Sequence, residues 1–226
     1  ARVRAAEAGT WGKPGFTAVQ VVHLRISVLA SICVAEHMDA VPVSEFVTAL
    51  AAKQPTPGGG AAAAVGAAIG SAAACMAAAY TTRKKDKESG AAAAAEGLIG
   101  TLDINLVLAA ADDDAAAYAD LQRSWNDSDM SAEEKAAIEA RALAVPVALV
   151  NRCHTYILAI KDFLPVCNPN ITSDAKVGIH QLAGAARAAY QTALVNSPAG
   201  DVRERLRTLL SEIRDIEEEL LELGHG

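Results

Sequence analysis

A chain of 226 residues that is 52% hydrophobic can bury one substantial core and is too short to demand two. Its net charge of −7 argues against a nucleic-acid partner. The four cysteines, Cys33, Cys75, Cys153 and Cys167, have neither CxxC pairing nor metal-ligand spacing, which argues against a disulfide framework and a metal centre. Aromatic residues make up only 4% and the apolar residues are mostly alanine, the best helix former, while β-branched runs are scarce. The expected fold class is therefore all-α, a helical bundle of about six to seven closely packed helices. The thiols are expected to be reduced, as in the cytoplasm.

Residues 1–37 differ from the rest. Arg2, Arg4, Lys13 and Arg25 stand against only Glu7 and Glu36, whereas the remainder carries the acidic surplus. Met38-Asp39-Ala40 reads like a fresh start. The segment is either a basic targeting leader, which would send the protein to an organelle, or an N-terminal extension of a domain covering 38–226. Its apolar stretch from Ala18 to Ala35 is interrupted by His23 and Arg25, against a membrane span.

From residue 43 onward helices alternate with breakers. Ser44 is placed to cap a first helix carrying Phe46, Val47 and Leu50, which ends before Pro55-Thr56-Pro57-Gly58-Gly59-Gly60. A second helix is expected from about Gly60 to Tyr80. No charge occurs between Lys53 and Arg83; that length suits a membrane span, but Ala and Gly partition weakly into lipid, so a central buried helix is the better reading. Gly66 and Gly70, four apart, offer a face for close helix packing. A single long helix is expected from roughly Gly90 to Trp125, then a turn at 126–129. Ser131 and Glu134 have capping-box spacing and open a helix that contains Pro146, which should kink it. Phe163 to Asn170 reads as loop, and Ser173 to about Asn196 as helix, with Ser173 or Asp174 as its cap. In the last helix Val202, Leu206, Leu209, Ile213, Ile216, Leu220 and Leu223 form a heptad seam that packs on its own chain or across a subunit boundary.

Several segments carry chemistry-bearing residues. Three glycines leading straight into a helix are costly for a plain turn; they let a ligand approach free N–H groups at the positive end of the helix dipole. No Gly-Lys-Ser/Thr follows, so this is not a P-loop. Arg83, Lys84, Lys85 and Lys87 either cap a helix C-terminus or steer a polyanion. Asp112, Asp113 and Asp114 fan around a helix in an alanine-rich run, with Tyr118 one turn on. An inward carboxylate among them would hold a raised pKa and trade protons near neutrality; a solvated acidic face is the plainer alternative. Asn168-Pro169-Asn170 with Ser173-Asp174 is a turn and cap that also offers ligand hydrogen bonds. His180 and Arg187 share a helix face, and His154 stands alone among apolar residues as a structural histidine. No nucleophile triad and no metal cluster is evident.

In this order and spacing, from about residue 43 to the end, the motifs resemble the cyclodeaminase domain of formiminotransferase-cyclodeaminase and its stand-alone bacterial relatives, some of which are methenyltetrahydrofolate cyclohydrolases. The pieces are Pro55 to Gly60 with the alanine-rich helix, Lys84-Lys85, Asp112 to Tyr118, Val145-Pro146, and Asn168-Pro169-Asn170 with Ser173-Asp174. Asp113 is extra, Lys87 replaces an aromatic, and Thr192 stands for the first Asn of Asn-Val-x-x-Asn, whose second is kept as Asn196. The resemblance implies a homodimer or higher homo-oligomer with folate near a subunit boundary. It implies closure of formiminotetrahydrofolate to methenyltetrahydrofolate with release of ammonia, a lyase step in histidine degradation. No cofactor beyond the folate substrate, no metal, no nucleic acid and no membrane partner would be involved. The roles it implies give the proton relay to Asp114, with Asp112 second. Pro57, Gly58, Gly59, Gly60, Asn168, Ser173, Asp174 and Asn196 would contact substrate, and Lys84, Lys85 and Arg187 would meet its glutamate tail. The rival readings are a cyclohydrolase using a similar site and a non-catalytic helical assembly protein.

Overall fold

The computed structural model describes His37 and residues 40–222. Among them are seven α-helices of eight residues or more and one of five, with no strand. In chain order these are α1 (Val43–Leu50), α2 (Gly59–Ala79), α3 (Lys84–Glu88), α4 (Ala91–Thr101), α5 (Ile104–Asn126), α6 (Ala132–Phe163), α7 (Thr172–Val195) and α8 (Gly200–Leu220), with a 3-10 turn at Leu164–Val166. The expected N-terminal extension, His37 apart, and Leu223 of the terminal seam lie outside the described residues.

Helices α2, α5, α6 and α7 form a ring of four: α2 packs on α5 and α7, and α6 joins those two on the far side. The uncharged, alanine-rich stretch is thus the central helix, with Ala61, Ala64, Ala67, Ala74 and Ala77 fully buried. By length and composition Gly59–Ala79 could also cross a bilayer; here its buried face meets other helices of the same chain. Alanine's short side chain permits unusually close backbones, and the limit is reached where α2 crosses α7. A Cβ added to Gly178 would lie 2.8 Å from the Gly70 carbonyl oxygen, and one added to Gly70 would lie 3.0 Å from that of Gly178. Gly66, the other glycine of the expected pair, meets only the Ala185 methyl at 3.8 Å.

Three expectations about helix ends need correction. The helix expected from Gly90 to Trp125 is broken at Leu102–Asp103 into α4 and α5. Asp103 is the cause: its Oδ1 accepts the Leu106 N–H at 2.9 Å as an N-cap, and its own N–H donates to the Tyr156 hydroxyl at 3.0 Å. Ser44 lies inside α1, with Pro42 at the cap position. Ile171 holds the cap position of α7, while Ser173 and Asp174 sit in its first turn, where Asp174 complements the helix dipole. The Ser131–Glu134 capping box forms as expected, Glu134 N–H to Ser131 Oγ at 3.2 Å and Ser131 N–H to Glu134 Oε2 at 3.0 Å.

Pro146 lies within α6, which continues through it. Proline has no N–H, so the carbonyl of Ala142, four residues back, loses its helical donor. Asn196, just past α7, supplies one: its Nδ2 donates to the Ala142 oxygen and to the Thr192 oxygen, each at 3.2 Å. The two residues should therefore be coupled. Asn196→Ala is expected to cost about 1 kcal/mol more in the native background than in Pro146→Ala, where an amide N–H returns to the Ala142 carbonyl. Urea unfolding of the four proteins measures this, and equal costs in both backgrounds would refute the coupling.

Helix α8 buries its seam against α6 and α7 of its own chain: Leu206, Ile213 and Ile216 are buried, and Val202, Leu209 and Leu220 partly so. Its glutamates meet basic side chains of the bundle, Glu212 with His154 at 2.6 Å, Glu219 with Lys161 at 2.6 Å, and Glu217 with both His180 and Arg187.

Candidate active site

The start of α2 is assembled from backbone. Gly58, in extended conformation, holds the cap position without a side-chain cap. The first N–H groups of the helix are therefore open to partners from elsewhere. One comes from α5: the Asp114 carboxylate accepts the Ala61 N–H. Asp114 packs so tightly over Gly60 that a Cβ there would fall inside the carboxylate. Gly60 is thus the position at which only a hydrogen leaves room for the Asp114 carboxylate.

Two effects act on Asp114 in opposite directions. Burial disfavours its charged form and raises its pKa above the ordinary carboxylate value; the Ala61 hydrogen bond lowers it; burial wins. The result is a carboxyl with heightened proton affinity, held at a helix N-terminus and facing an open space.

That space is a cleft of about 640 Å³. One wall is a stripe of α5, Asp114, Ala117, Tyr118, Leu121 and Trp125, whose spacing of three and four keeps them on one face. Tyr118 and Trp125 form an edge-to-face pair with centroids 6.3 Å apart. The opposing surfaces are Gln54, Pro55, Thr56 and Gly58 to Gly60, then Glu139 and Ala142 of α6, and Thr192 with Val195 to Ser197 at the end of α7.

Of the residues singled out from sequence, the fold brings Gly58, Gly59, Gly60, Asp114 and Asn196 to this cleft, with Pro57 buried immediately before it. Asp112 is half-buried and pairs with His37 at 3.5 Å, outside the lining; Asp113 is exposed. The remaining expected site residues lie elsewhere within one chain. Lys84 and Lys85 are exposed on α3, beyond the far end of α2. Asn168 closes that same end. Its Nδ2 donates to the Tyr80 carbonyl at 2.9 Å and its N–H to Thr81 Oγ1 at 3.1 Å, while Thr81 Oγ1 donates to the Ala77 carbonyl at 3.0 Å. Ser173 and Asp174 follow within a turn of this junction. Arg187 is bonded to Glu217 on the outer side of the bundle. The expected site thus divides between the two ends of α2, whose 21 residues separate them by about 30 Å.

Sequence reasoning did not reach Trp125, Leu121, Glu139, Gln54 and Ser197. The α5 members were within reach, because Trp125 stands eleven positions after Asp114 and Leu121 seven, both returning to the same helix face. Glu139 and Ser197 come from separate elements and carry no such signal. Among the described residues no group of three His, Cys, Asp or Glu is arranged to hold a metal ion. Cys153 is buried, and burial pushes its thiol up to about 12, which makes it a packing residue.

A family described as formiminotransferase-cyclodeaminase matches residues 42–215. The fold is similar to the crystal structure of formiminotetrahydrofolate cyclodeaminase from Thermotoga maritima, with a TM-score of 0.63 and 21% sequence identity over 80% of this chain and 92% of that one. No curated protein matches the sequence.

Proposed function

The chain belongs to the formiminotransferase-cyclodeaminase family, and from that premise we propose that it closes formiminotetrahydrofolate to methenyltetrahydrofolate with release of ammonia. The observation that carries this reading is the convergence of Asp114, a carboxyl of raised proton affinity, with the open N–H groups of a glycine-lined helix start. The cleft between them has the volume of a small-molecule site.

The chemistry follows from those groups. Folate N10 attacks the formimino carbon carried on N5, giving a tetrahedral adduct. The adduct must lose a proton from N10 and deliver one to the departing nitrogen before the C–N bond breaks and ammonia leaves. A single carboxyl beside that carbon serves both needs, as base to N10 and then as acid to the amine. Asp114 is assigned that relay; Asp112 is the weaker candidate because it lies outside the cleft lining. The backbone at Gly58 to Gly60 and the polar groups of Thr192 and Asn196 hold the pterin, and confinement aligns N10 with the carbon. No cofactor beyond the folate is required.

The test is turnover of formiminotetrahydrofolate by purified protein, read as growth of the methenyl chromophore in step with ammonia. Loss of that chromophore from added methenyltetrahydrofolate, with no ammonia release from the formimino substrate, would instead make the protein a cyclohydrolase.

The glutamate tail of folate is anionic, yet the cleft-lining residues described are uncharged apart from Asp114 and Glu139. Lys84 and Lys85 stand at the other end of α2. Between them α2 exposes Ile69, Met76 and Tyr80, at 53%, 42% and 62%, on one face. A second copy packed antiparallel along this face would carry its own lysines to the cleft. The working unit proposed is therefore a homo-oligomer. Asp114→Asn mixed with Lys84→Ala/Lys85→Ala, each inactive alone, should recover activity at about a quarter of the sites through mixed dimers. No recovery after subunit exchange would show that both groups act within one chain.

A further inference from the structure

The order of groups along the cleft points to the direction in which the folate lies, given the cyclodeaminase reading. At one end, by the start of α2, the lining is hydrogen-bonding: the Gly58–Gly60 backbone and Thr192, whose side chain lies against Gly59. Asp114 follows. One turn further along α5, about 6 Å on, stands Tyr118, and 6.3 Å from its ring centre is that of Trp125. Trp125 is 64% exposed and Val195 is 83% exposed, both in the cleft lining.

Folate has the same sequence of properties. The pterin is rich in donors and acceptors, the reacting carbon bridges N5 and N10, and N10 is attached directly to a flat, apolar benzoyl ring. We infer that the Tyr118–Trp125 corner is the subsite for the p-aminobenzoyl ring, with the pterin at the Gly58–Gly60 end and the glutamate leaving over Trp125. An edge-to-face pair engages one face and one edge of its two rings. An indole exposed to this extent therefore keeps a face open for a planar ring to stack on. A pterin there would forgo the backbone donors and acceptors of the Gly58–Gly60 end. With the benzoyl ring there instead, the reacting carbon falls beside Asp114.

Tryptophan fluorescence tests this directly. The chain has two tryptophans, Trp11 and Trp125, so full-length Trp11→Phe reports on Trp125 alone. The probes are p-aminobenzoyl-L-glutamate, 6-methyltetrahydropterin, and 5-formyltetrahydrofolate as an unreactive whole ligand. The first and third should quench Trp125 saturably, and the tetrahydropterin should bind by calorimetry without quenching. Trp125→Ala should weaken the two benzoyl-bearing ligands about tenfold and leave the tetrahydropterin unchanged, and Trp125→Phe should restore most of the loss. Quenching by the tetrahydropterin with silence from p-aminobenzoyl-L-glutamate would reverse the orientation and overturn the assignment. Unchanged affinities for all three ligands in Trp125→Ala would overturn it too. Binding as expected with no formimino turnover by the native chain would overturn the activity and leave the subsite standing.

Discussion

Asp114→Asn is expected to fold, to bind 5-formyltetrahydrofolate, and to lose about a hundred- to ten-thousand-fold in kcat, the range a positioned proton-transfer group contributes. The amide oxygen can still accept the Ala61 N–H, so the start of α2 keeps its partner. What disappears is the exchangeable proton. Two pH dependences accompany this. In the native enzyme the relay starts from the carboxylate, so turnover should rise as pH rises through the Asp114 pKa, which burial holds above the ordinary carboxylate value; the asparagine variant should lack that dependence. Stability runs in the opposite direction. Because the folded carboxyl binds its proton more tightly than the unfolded one, the folded state holds more protons between the two pKa values, and stability falls as pH rises through that window. Asparagine has no such penalty. The variant's Tm should therefore exceed the native value at pH 7, with the gap closing as pH drops below the ordinary carboxylate range. An active variant removes the catalytic assignment; an inactive one that melts lower at pH 7 removes the account of why the pKa is raised.

Gly60→Ala is the second large effect, and it reaches the same group from the other side. The new methyl would occupy the space of the Asp114 carboxylate. A short side chain can swing away where a backbone could not, so the bundle should survive. Alanine's higher helix propensity further offsets the disturbance by roughly 0.5–1 kcal/mol. Displacing the carboxylate by a bond length or so should nonetheless lower kcat about a hundredfold, since proton transfer depends on reach. Gly66→Ala, whose methyl would meet only the Ala185 Cβ at 3.8 Å, is the matched control in the same helix and should retain activity. Circular dichroism separates the outcomes: an unfolded Gly60→Ala would mean that the carboxylate cannot yield, and a fully active one that its position above Gly60 is immaterial.

These expectations rest on a site only half legible beforehand. The helical class was readable because alanine dominates the apolar residues. The positions of α2, α6 and α7 were readable because Pro55 to Gly60, the Ser131 capping box and Pro169 mark their ends. The break at Asp103 was not, because the hydroxyl that helps fix it belongs to Tyr156, 53 residues away. Sequence left open whether any of the three adjacent aspartates turns inward, because that depends on the rotation of α5 against α2, a tertiary quantity. Asn168 and Asn196 illustrate a different difficulty. Both read as ligand contacts, and both spend their Nδ2 on main-chain carbonyls, Asn168 on Tyr80 at the end of α2 and Asn196, which also lines the cleft, on Ala142 inside α6. A polar side chain in a motif looks the same whether it serves a substrate or an unsatisfied carbonyl.

The close approach of α2 and α7 also determines how this protein is vulnerable to change. Most cores fail when a large residue is cut down and a void opens. Here Ala64, Ala67, Ala74, Ala183, Ala186 and Ala189 are already at the lower limit of size and have no exposure to lose. Damage must come from added carbon: a single Ala→Val along this contact wedges the helices apart and costs about 1–3 kcal/mol. Because α2 carries the glycine-lined start at one end and the Asn168 junction at the other, one misplaced methyl near its midpoint would unsettle both together. At these six positions the tolerated substitutions are thus exchanges among the smallest residues.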